Sequence, residues 1–293
     1  MTVHGERKSA EAPMPEERET LQKIEELKGI INRCHLEFVK EREFDPEVTG
    51  MIEAANRIFM SGKAKRIRAI IPMLIAEEGF CELDSVKRYA VLIELLHFSS
   101  LVHDDVIDEA TVRRDQPCLN TIYTNANAVL IGDHFICQSI EYGLRTRNNT
   151  AVIAVSVDAV KKLITGVMME QRLATGSFEF ETYRKMAEMK TGCLFGLSFG
   201  LPFVGTPLCD LGLRTGTKFG LLFQIYDDYL DRSEDHAEYN IYRAMGPEAI
   251  SGKCQGIFRE LVEDCRKLGV ERSLWQVVIY LKTHGYFFDV SLP

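Results

Sequence analysis

The sequence predicts an all-α protein, and three observations carry that prediction. Apolar residues recur at three- and four-residue intervals along nearly the whole chain. The period-two alternation and the Asn-Gly turns of a sheet protein are absent. Between the periodic runs stand short groups of Gly, Pro, Asn and Asp, which supply turns and helix stops. With 293 residues, 46% hydrophobic and 27% charged, the chain has the composition of a folded soluble protein. No Gly/Ser-rich or Pro-rich linker and no internal repeat divides it, so a single domain over residues 1–293 is expected.

Residues 1–20 are Glu-rich with two prolines, and 1–15 are expected to be disordered. They hold no apolar run of the kind a secretory signal needs, and a cytoplasmic location is expected. Helices are then expected over 16–42 and 47–60, parted by Asp45-Pro46, and over 64–78 after the Ser61-Gly62 turn. Glu78-Gly79 stops that helix, and 84–108 follows, closed by the turn from Arg114 to Pro117. Helices 126–146 and 150–174 are separated by Asn148-Asn149, and 179–200 ends before Gly205 to Pro207. The last three, 210–232, 247–267 and 271–284, include the break at Gly246-Pro247. The most apolar stretch, Gly192 to Gly205, carries four glycines and a proline and is too short for a membrane span. It reads as a buried, closely packed helix, and no transmembrane segment is expected.

Charge and cysteine usage exclude several classes of function. Lys+Arg 35 against Asp+Glu 43 gives a formal charge of −8, which argues against a nucleic-acid partner. Eight cysteines are scattered without a CxxC or a paired His/Cys spacing, so neither a structural zinc nor a disulfide framework is expected. Several, such as Cys137 and Cys193, sit among apolar neighbours, where a thiol behaves as a small hydrophobe.

The chemistry is concentrated in two acidic motifs. Helix 84–108 contains VLIELLHFSSLV, apolar on every face, which only a buried helix tolerates. It nevertheless ends in HDDVIDE, carrying Asp104, Asp105 and Asp108 to the end of a core element. At about 100° per residue the three side chains fall within an arc of about 100°. Clustered carboxylates repel one another unless a cation lies between them, and oxygen-only ligands suit Mg²⁺, which keeps waters and accepts phosphate oxygens. The second half repeats the arrangement in FQIYDDYLD, where Asp227, Asp228 and Asp231 have the same DDxxD spacing and Gln224 falls in their arc. One such helix end would be an ordinary solvated acid run. Two, each at the end of an apolar helix, point to a metal-bound di- or triphosphate, which needs cationic side chains as well. Arg113-Arg114 follows the first motif closely. Lys65 and Arg68 in SGKAKRIRA share a helix face, and Lys190-Thr191 interrupts an apolar run. His97 lies about 20° from Asp104 around its helix.

From about Gly62 to Asp231 these segments resemble the trans-isoprenyl diphosphate synthases, the polyprenyl synthetase family. IELLHFSSLVHDDVIDEATVRRDQP and FGLLFQIYDDYLD resemble its two aspartate-rich motifs, and SGKAKRIRA its GGKRxRP segment. AVLIGD (128–133), Gln171 and KTGCLF (190–195) fall where the family has AVLAGD, GQ or GE-x-x-Q, and KT-x-x-LF. The resemblance implies an all-α, single-domain bundle of antiparallel helices around a deep central cavity, usually as a homodimer. It implies Mg²⁺, typically three ions, held by Asp104, Asp108 and Asp227, with Asp231, Asp105 and Asp228 in support. Arg113 and Lys190 would contact an allylic diphosphate. Lys65, Arg68, His97 and Arg114 would hold isopentenyl diphosphate. Gln224, Thr191 and Gln171 would screen the allylic cation formed when the diphosphate leaves. Ser99 and Ser100, small residues five and four positions before Asp104, imply a product of geranylgeranyl length or longer.

The likeness decays over 232–293. The family's GK-x-x-G-x-D segment is missing, and with it the lysine expected at the allylic diphosphate, for which Lys253 is the candidate replacement. Ala69 replaces the GGKRxRP proline. Two other readings follow from that divergence. One is prenyl transfer to a non-isoprenoid acceptor, or terpene cyclisation. The other is a non-catalytic subunit of a heteromeric prenyl synthase. Retention of Lys65, Arg68 and Arg114 favours the isopentenyl acceptor, and two intact acidic motifs favour a catalytic chain.

Overall fold

A computed structural model describes residues 14–39, 45–61, 64–173, 179–230 and 241–286. Its backbone is almost wholly helical: α1 (Pro15–Val39), α2 (Pro46–Phe59), α3 (Ile67–Glu77), α4 (Leu83–Ile107), α5 (Leu119–Ile122), α6 (Asn125–Leu144) and α7 (Asn149–Leu173). They are followed by α8 (Phe180–Ala187), α9 (Cys193–Gly200), α10 (Cys209–Leu230), α11 (Ile241–Met245), α12 (Pro247–Leu268) and α13 (Glu271–Lys282). The expected disorder of residues 1–13 falls outside the described residues, whereas Pro15 already opens α1, its missing N–H harmless at a first turn.

Local chemistry sets the helix ends. Asp45 caps α2 by accepting a hydrogen bond from the Glu47 N–H at 3.0 Å, with Pro46 as first helical residue. Thr124 caps α6 through the Asn127 N–H at 3.1 Å. The helix expected from residue 64 begins only at Ile67, because Arg66 adopts a left-handed backbone with φ 56°.

Helix α4 runs through the core as its composition requires. Leu92, Ile93, Leu95 and Leu96 are all buried although they point to successive faces, and α4 packs against α1, α3, α6 and α9. Each such side chain withdrawn from water contributes roughly 1.5–3 kcal/mol. A second, smaller core of Tyr183, Met186, Leu221, Ile225, Ile241 and Ile250 ties α8, α10, α11 and α12 together.

The helix expected over 179–200 is continuous but contains a π-helical turn, Glu188–Gly192, between α8 and α9. Helices α9 and α10 pack through glycines spaced by four: Gly192, Gly196 and Gly200 against Gly212, Gly216 and Gly220. A Cβ on Gly216 would lie 2.0 Å from the Phe195 carbonyl oxygen, so the absence of a side chain is required for this approach. The close packing expected of the glycine-rich segment is present.

Two features depart from the expected strand-free chain. Val112–Arg113 and Gln116–Pro117 form a two-stranded antiparallel hairpin, and α5 follows it. The turn residues Arg114 and Asp115 both have positive φ, 53° and 59°, the backbone of a two-residue primed turn made here without Asn or Gly. No described helix is long and apolar enough to cross a membrane.

Candidate active site

Five segments deliver polar side chains to one cavity of about 670 Å³. The C-terminal turn of α4 supplies Asp104 and Asp108, one helical turn apart on the same face, and α10 supplies Gln224, Asp227 and Asp228. The segment leading into α3 supplies Lys65, which precedes the helix and so shares no helix face with Arg68 of its first turn; the hairpin supplies Arg113 and Arg114, and the π-helical turn supplies Lys190 and Thr191. His97 and Ser100 reach it from α4. Chain segments distant in sequence thus meet around a single space, acidic on two helices and basic on three intervening segments.

Electrostatics inside the cavity follow from desolvation. Burial raises the Asp104 carboxyl to about 6; the Lys190 charge opposes the rise and the Asp108 carboxylate adds to it. Asp228 is raised to about 6 by burial as well, against the hydrogen bonds it accepts from Tyr183 and Gln224. Burial together with neighbouring Arg68 and Arg114 drives His97 far below its ordinary range, so its ring is neutral and takes a 3.3 Å contact from Arg68. Arg68 lies 4.4 Å over the Phe195 ring, and its buried Nε has no partner among the described residues.

Thr191, Gln224, Asp228 and Tyr183 form a chain of hydrogen bonds. The Thr191 hydroxyl donates to Gln224 Oε1 at 2.5 Å, Gln224 Nε2 donates to Asp228 Oδ1 at 2.9 Å, and the Tyr183 hydroxyl donates to Asp228 Oδ2. This fixes the carboxamide between the π-helical turn and the second acidic motif. Lys190 pairs with Glu170 at the end of α7. Burial opposes its charge, yet that carboxylate holds the ammonium above its ordinary range.

Several expected residues stand elsewhere. Asp105, about a third of a turn from Asp104, is buried beside the hairpin and accepts from Arg113 Nε at 2.5 Å, so it braces an arginine and does not line the cavity. Ser99 is buried outside the cavity lining, while Ser100 lines it. Gln171 is exposed, because one residue of helical rotation turns it outward from Glu170. Lys253 lies 4.0 Å over the Phe180 ring on α12 and does not line the cavity. Asp231 lies outside the described residues.

Sequence reasoning missed Glu170, the buried Arg66–Glu94 ion pair at 3.2 Å, and Tyr286, all within or beside the cavity. Glu94 carried a legible signal, a lone charge in an apolar run. Its carboxylate also accepts the Ala69 N–H at 3.3 Å, docking the start of α3 on α4.

Among the described residues no three carboxylate, imidazole or thiol groups close into a protein-only metal cage. The oxygen donors are instead spread over one cavity with desolvated, mutually repelling carboxyls. That donor set fits a hard divalent cation sharing its coordination with water and phosphate oxygens.

The chain belongs to the polyprenyl synthetase family, whose profile matches residues 50–265. It is 33% identical over 187 residues to a protein named prenyl transferase from Synechocystis sp., covering 61% of this chain and 57% of that one. It is 31% identical over 202 residues to heptaprenyl diphosphate synthase component 2 of Geobacillus stearothermophilus, covering 65% and 61%. The chain therefore spans less than two thirds of the length of these relatives. Its fold is similar to that of an isoprenoid synthase family member from Thermotoga neapolitana, with TM-score 0.77 and 27% identity over 88% of this chain and 99% of the other.

Proposed function

We propose that the protein is a trans-prenyltransferase that condenses an allylic diphosphate with isopentenyl diphosphate. The observation that carries this reading is the shared cavity, where two DDxxD helices and the cations Lys65, Arg68, Arg113, Arg114 and Lys190 line one space. In this assignment Asp104, Asp108 and Asp227 hold Mg²⁺, three ions by family resemblance, with Asp228 and Asp231 in support. When bound, Mg²⁺ neutralises the diphosphate and makes pyrophosphate a better leaving group. Arg113 and Lys190 bind and orient the allylic diphosphate, and Lys65, Arg68, Arg114 and neutral His97 hold the second diphosphate beside it. Arg68 Nε, buried and without a partner among the described residues, supports an anion at this place.

The allylic carbon–oxygen bond breaks with its electron pair leaving on pyrophosphate. The Gln224 carboxamide and the Thr191 hydroxyl, fixed by their mutual hydrogen bond, present their oxygens to the resulting positive charge. The double bond of isopentenyl diphosphate attacks the cationic carbon, a carbon–carbon bond forms, and the proton lost from the neighbouring carbon passes to pyrophosphate. Gln171, exposed, has no part in this assignment.

A product of geranylgeranyl length or longer is supported by small Ser100 at the cavity wall and by an apolar pocket of about 110 Å³ farther up α4. Leu92 and Leu96 line that pocket with Ile136, Ile140 and Val157. A homodimer is supported by apolar side chains left exposed on one side of each of two helices: Leu130 and Leu144 on α6, and Val157, Ile164 and Met168 on α7. The heteromeric alternative, raised by the divergent 232–293 part, is favoured further by the component 2 name that two relatives carry.

The test is incubation with Mg²⁺, isopentenyl diphosphate and, in turn, dimethylallyl, geranyl or farnesyl diphosphate. Pyrophosphate release and a lengthened prenyl diphosphate on chromatography are expected, and Asp104→Ala and Asp227→Ala should each lose at least about 10³-fold in kcat with unchanged circular dichroism. Silence of the wild-type chain with all three primers refutes the reading.

A further inference from the structure

Among the cavity residues that neither the acidic motifs nor the basic segments announce is Tyr286. Tyr286 follows α13 and is buried, 3% exposed, with its ring stacked on Phe223 at 4.9 Å. Its hydroxyl accepts a hydrogen bond from the Lys65 ammonium at 2.7 Å and donates one to Asp227 Oδ1. One phenol therefore joins a cation from the segment leading into α3 to the first carboxylate of the second acidic motif. A second tyrosine from the same end of the chain supports the arrangement: the Tyr280 hydroxyl of α13 donates to the Lys65 carbonyl at 3.0 Å, so both ends of Lys65 are held.

The backbone delivers Tyr286 to this place. The Tyr286 N–H bonds to the Leu281 carbonyl at 3.2 Å and the Gly285 N–H to the Lys282 carbonyl at 3.2 Å, the paired bonds of a glycine-terminated helix end. Gly285 has φ 84°, and a Cβ there would meet nothing closer than Leu230 at 4.0 Å. Its requirement is conformational, and it turns the chain back so that the next residue enters the cavity.

We propose that Tyr286 is a positioning residue of the diphosphate site: its hydroxyl orients Asp227 and fixes Lys65, joining the metal side of the cavity to the side that holds the second diphosphate. The inference rests on the function proposed above, but it concerns binding and is testable without turnover. A carboxylate offers two oxygens with two lone pairs each, so Asp227 can serve a cation while it accepts the phenol, the way outer hydrogen bonds orient metal ligands elsewhere. Lys65, anchored at both ends, presents its ammonium with little rotamer freedom left to lose.

The experiment is calorimetric titration of the full chain with inorganic pyrophosphate in Mg²⁺, for wild type, Tyr286→Phe and Gly285→Val. The Phe variant keeps the ring stack and removes only the hydroxyl, so melting should be nearly unchanged while pyrophosphate affinity falls about tenfold. Gly285→Val, which displaces the tyrosine through the backbone, should lower affinity at least as much. In steady state, Tyr286→Phe should raise KM for isopentenyl diphosphate more than KM for the allylic substrate, a split that loss of packing alone would not give. Equal affinity in wild type and Tyr286→Phe overturns the proposal. Tighter binding in Tyr286→Phe also overturns it, since the phenol would then be competing with the cation for Asp227. A wild type that binds Mg²⁺-pyrophosphate but condenses no primer defeats the proposed function and leaves this inference to stand or fall on the variants. A wild type that does not bind it defeats both.

Discussion

Burial holds the Asp104 carboxyl at about 6, against roughly 4 for an aspartate in an unfolded chain, and stability without ligand must depend on pH accordingly. Between pH ~4 and ~6 the folded protein binds this proton more tightly than the unfolded chain does, so stability falls as pH rises through that window. A tenfold difference in proton affinity is worth about 1.4 kcal/mol, so a roughly hundredfold one gives about 3 kcal/mol from Asp104. Asp228, raised by the same cause, adds in the same direction. Urea unfolding of the ligand-free protein should show stability declining from about pH 4.5 to 7, and Asp104→Asn should flatten the decline by about that amount. An unchanged pH slope in the variant would show that Asp104 is not desolvated. At this same scale the sequence was informative wherever spacing encodes direction. Asp104 and Asp108 share a face because four residues make about one turn, and both line the cavity. Residues brought in by tertiary folding had no such signal. Tyr286 arrives from the C-terminal end of the described chain, and Glu170 differs from exposed Gln171 by a single helical step that a motif match does not fix.

Among the elements, the pairing of α9 with α10 does most to place the chemistry, since Thr191 at the foot of one meets Gln224 on the other at 2.5 Å. Glycines at both surfaces make that approach possible, and a Cβ on Gly220 would lie 2.5 Å from the Gly192 Cα. Gly216→Ala forces a methyl against the Phe195 carbonyl, so the helices must separate. A loss of about 3 kcal/mol in denaturant unfolding is expected, accompanied by a drop in kcat as Thr191 and Gln224 part. Full stability in this variant would mean that the glycines are not in contact. The helices were legible because their apolar period and their caps agree, as at Asp45-Pro46 ahead of α2. The hairpin was not. Its turn uses Arg114 and Asp115 at positive φ, where local preference would place Asn-Gly, and the surrounding ion pair between Arg113 and Asp105 holds the strained backbone that aims Arg114 into the cavity.

For the whole molecule, α6 and α7 cover the apolar pocket that lies beyond Ser100 along α4, and they turn an apolar stripe outward. Leu130 is 65% exposed and Met168 63%, and Leu144, Val157 and Ile164 on the same two helices are exposed as well. Scattered exposed apolar residues are ordinary, but Leu130 and Leu144 fall on one side of α6, and Val157, Ile164 and Met168 on one side of α7, a pattern suited to packing against another helical face. A second copy of this chain would fill that need by symmetry, since the same stripe would serve both sides of a two-fold contact. It would also close the outer wall of the pocket in which a growing prenyl tail is proposed to lie, linking quaternary structure to product length. Sedimentation of the full chain should therefore give a dimer. Ile164→Glu, which places a charge in the stripe at a residue that does not itself line the diphosphate cavity, should shift it to monomer at micromolar concentration and change the product distribution while pyrophosphate release continues. A wild-type monomer, or a dimer indifferent to the substitution, would locate the subunit contact elsewhere and leave the stripe to a different partner chain.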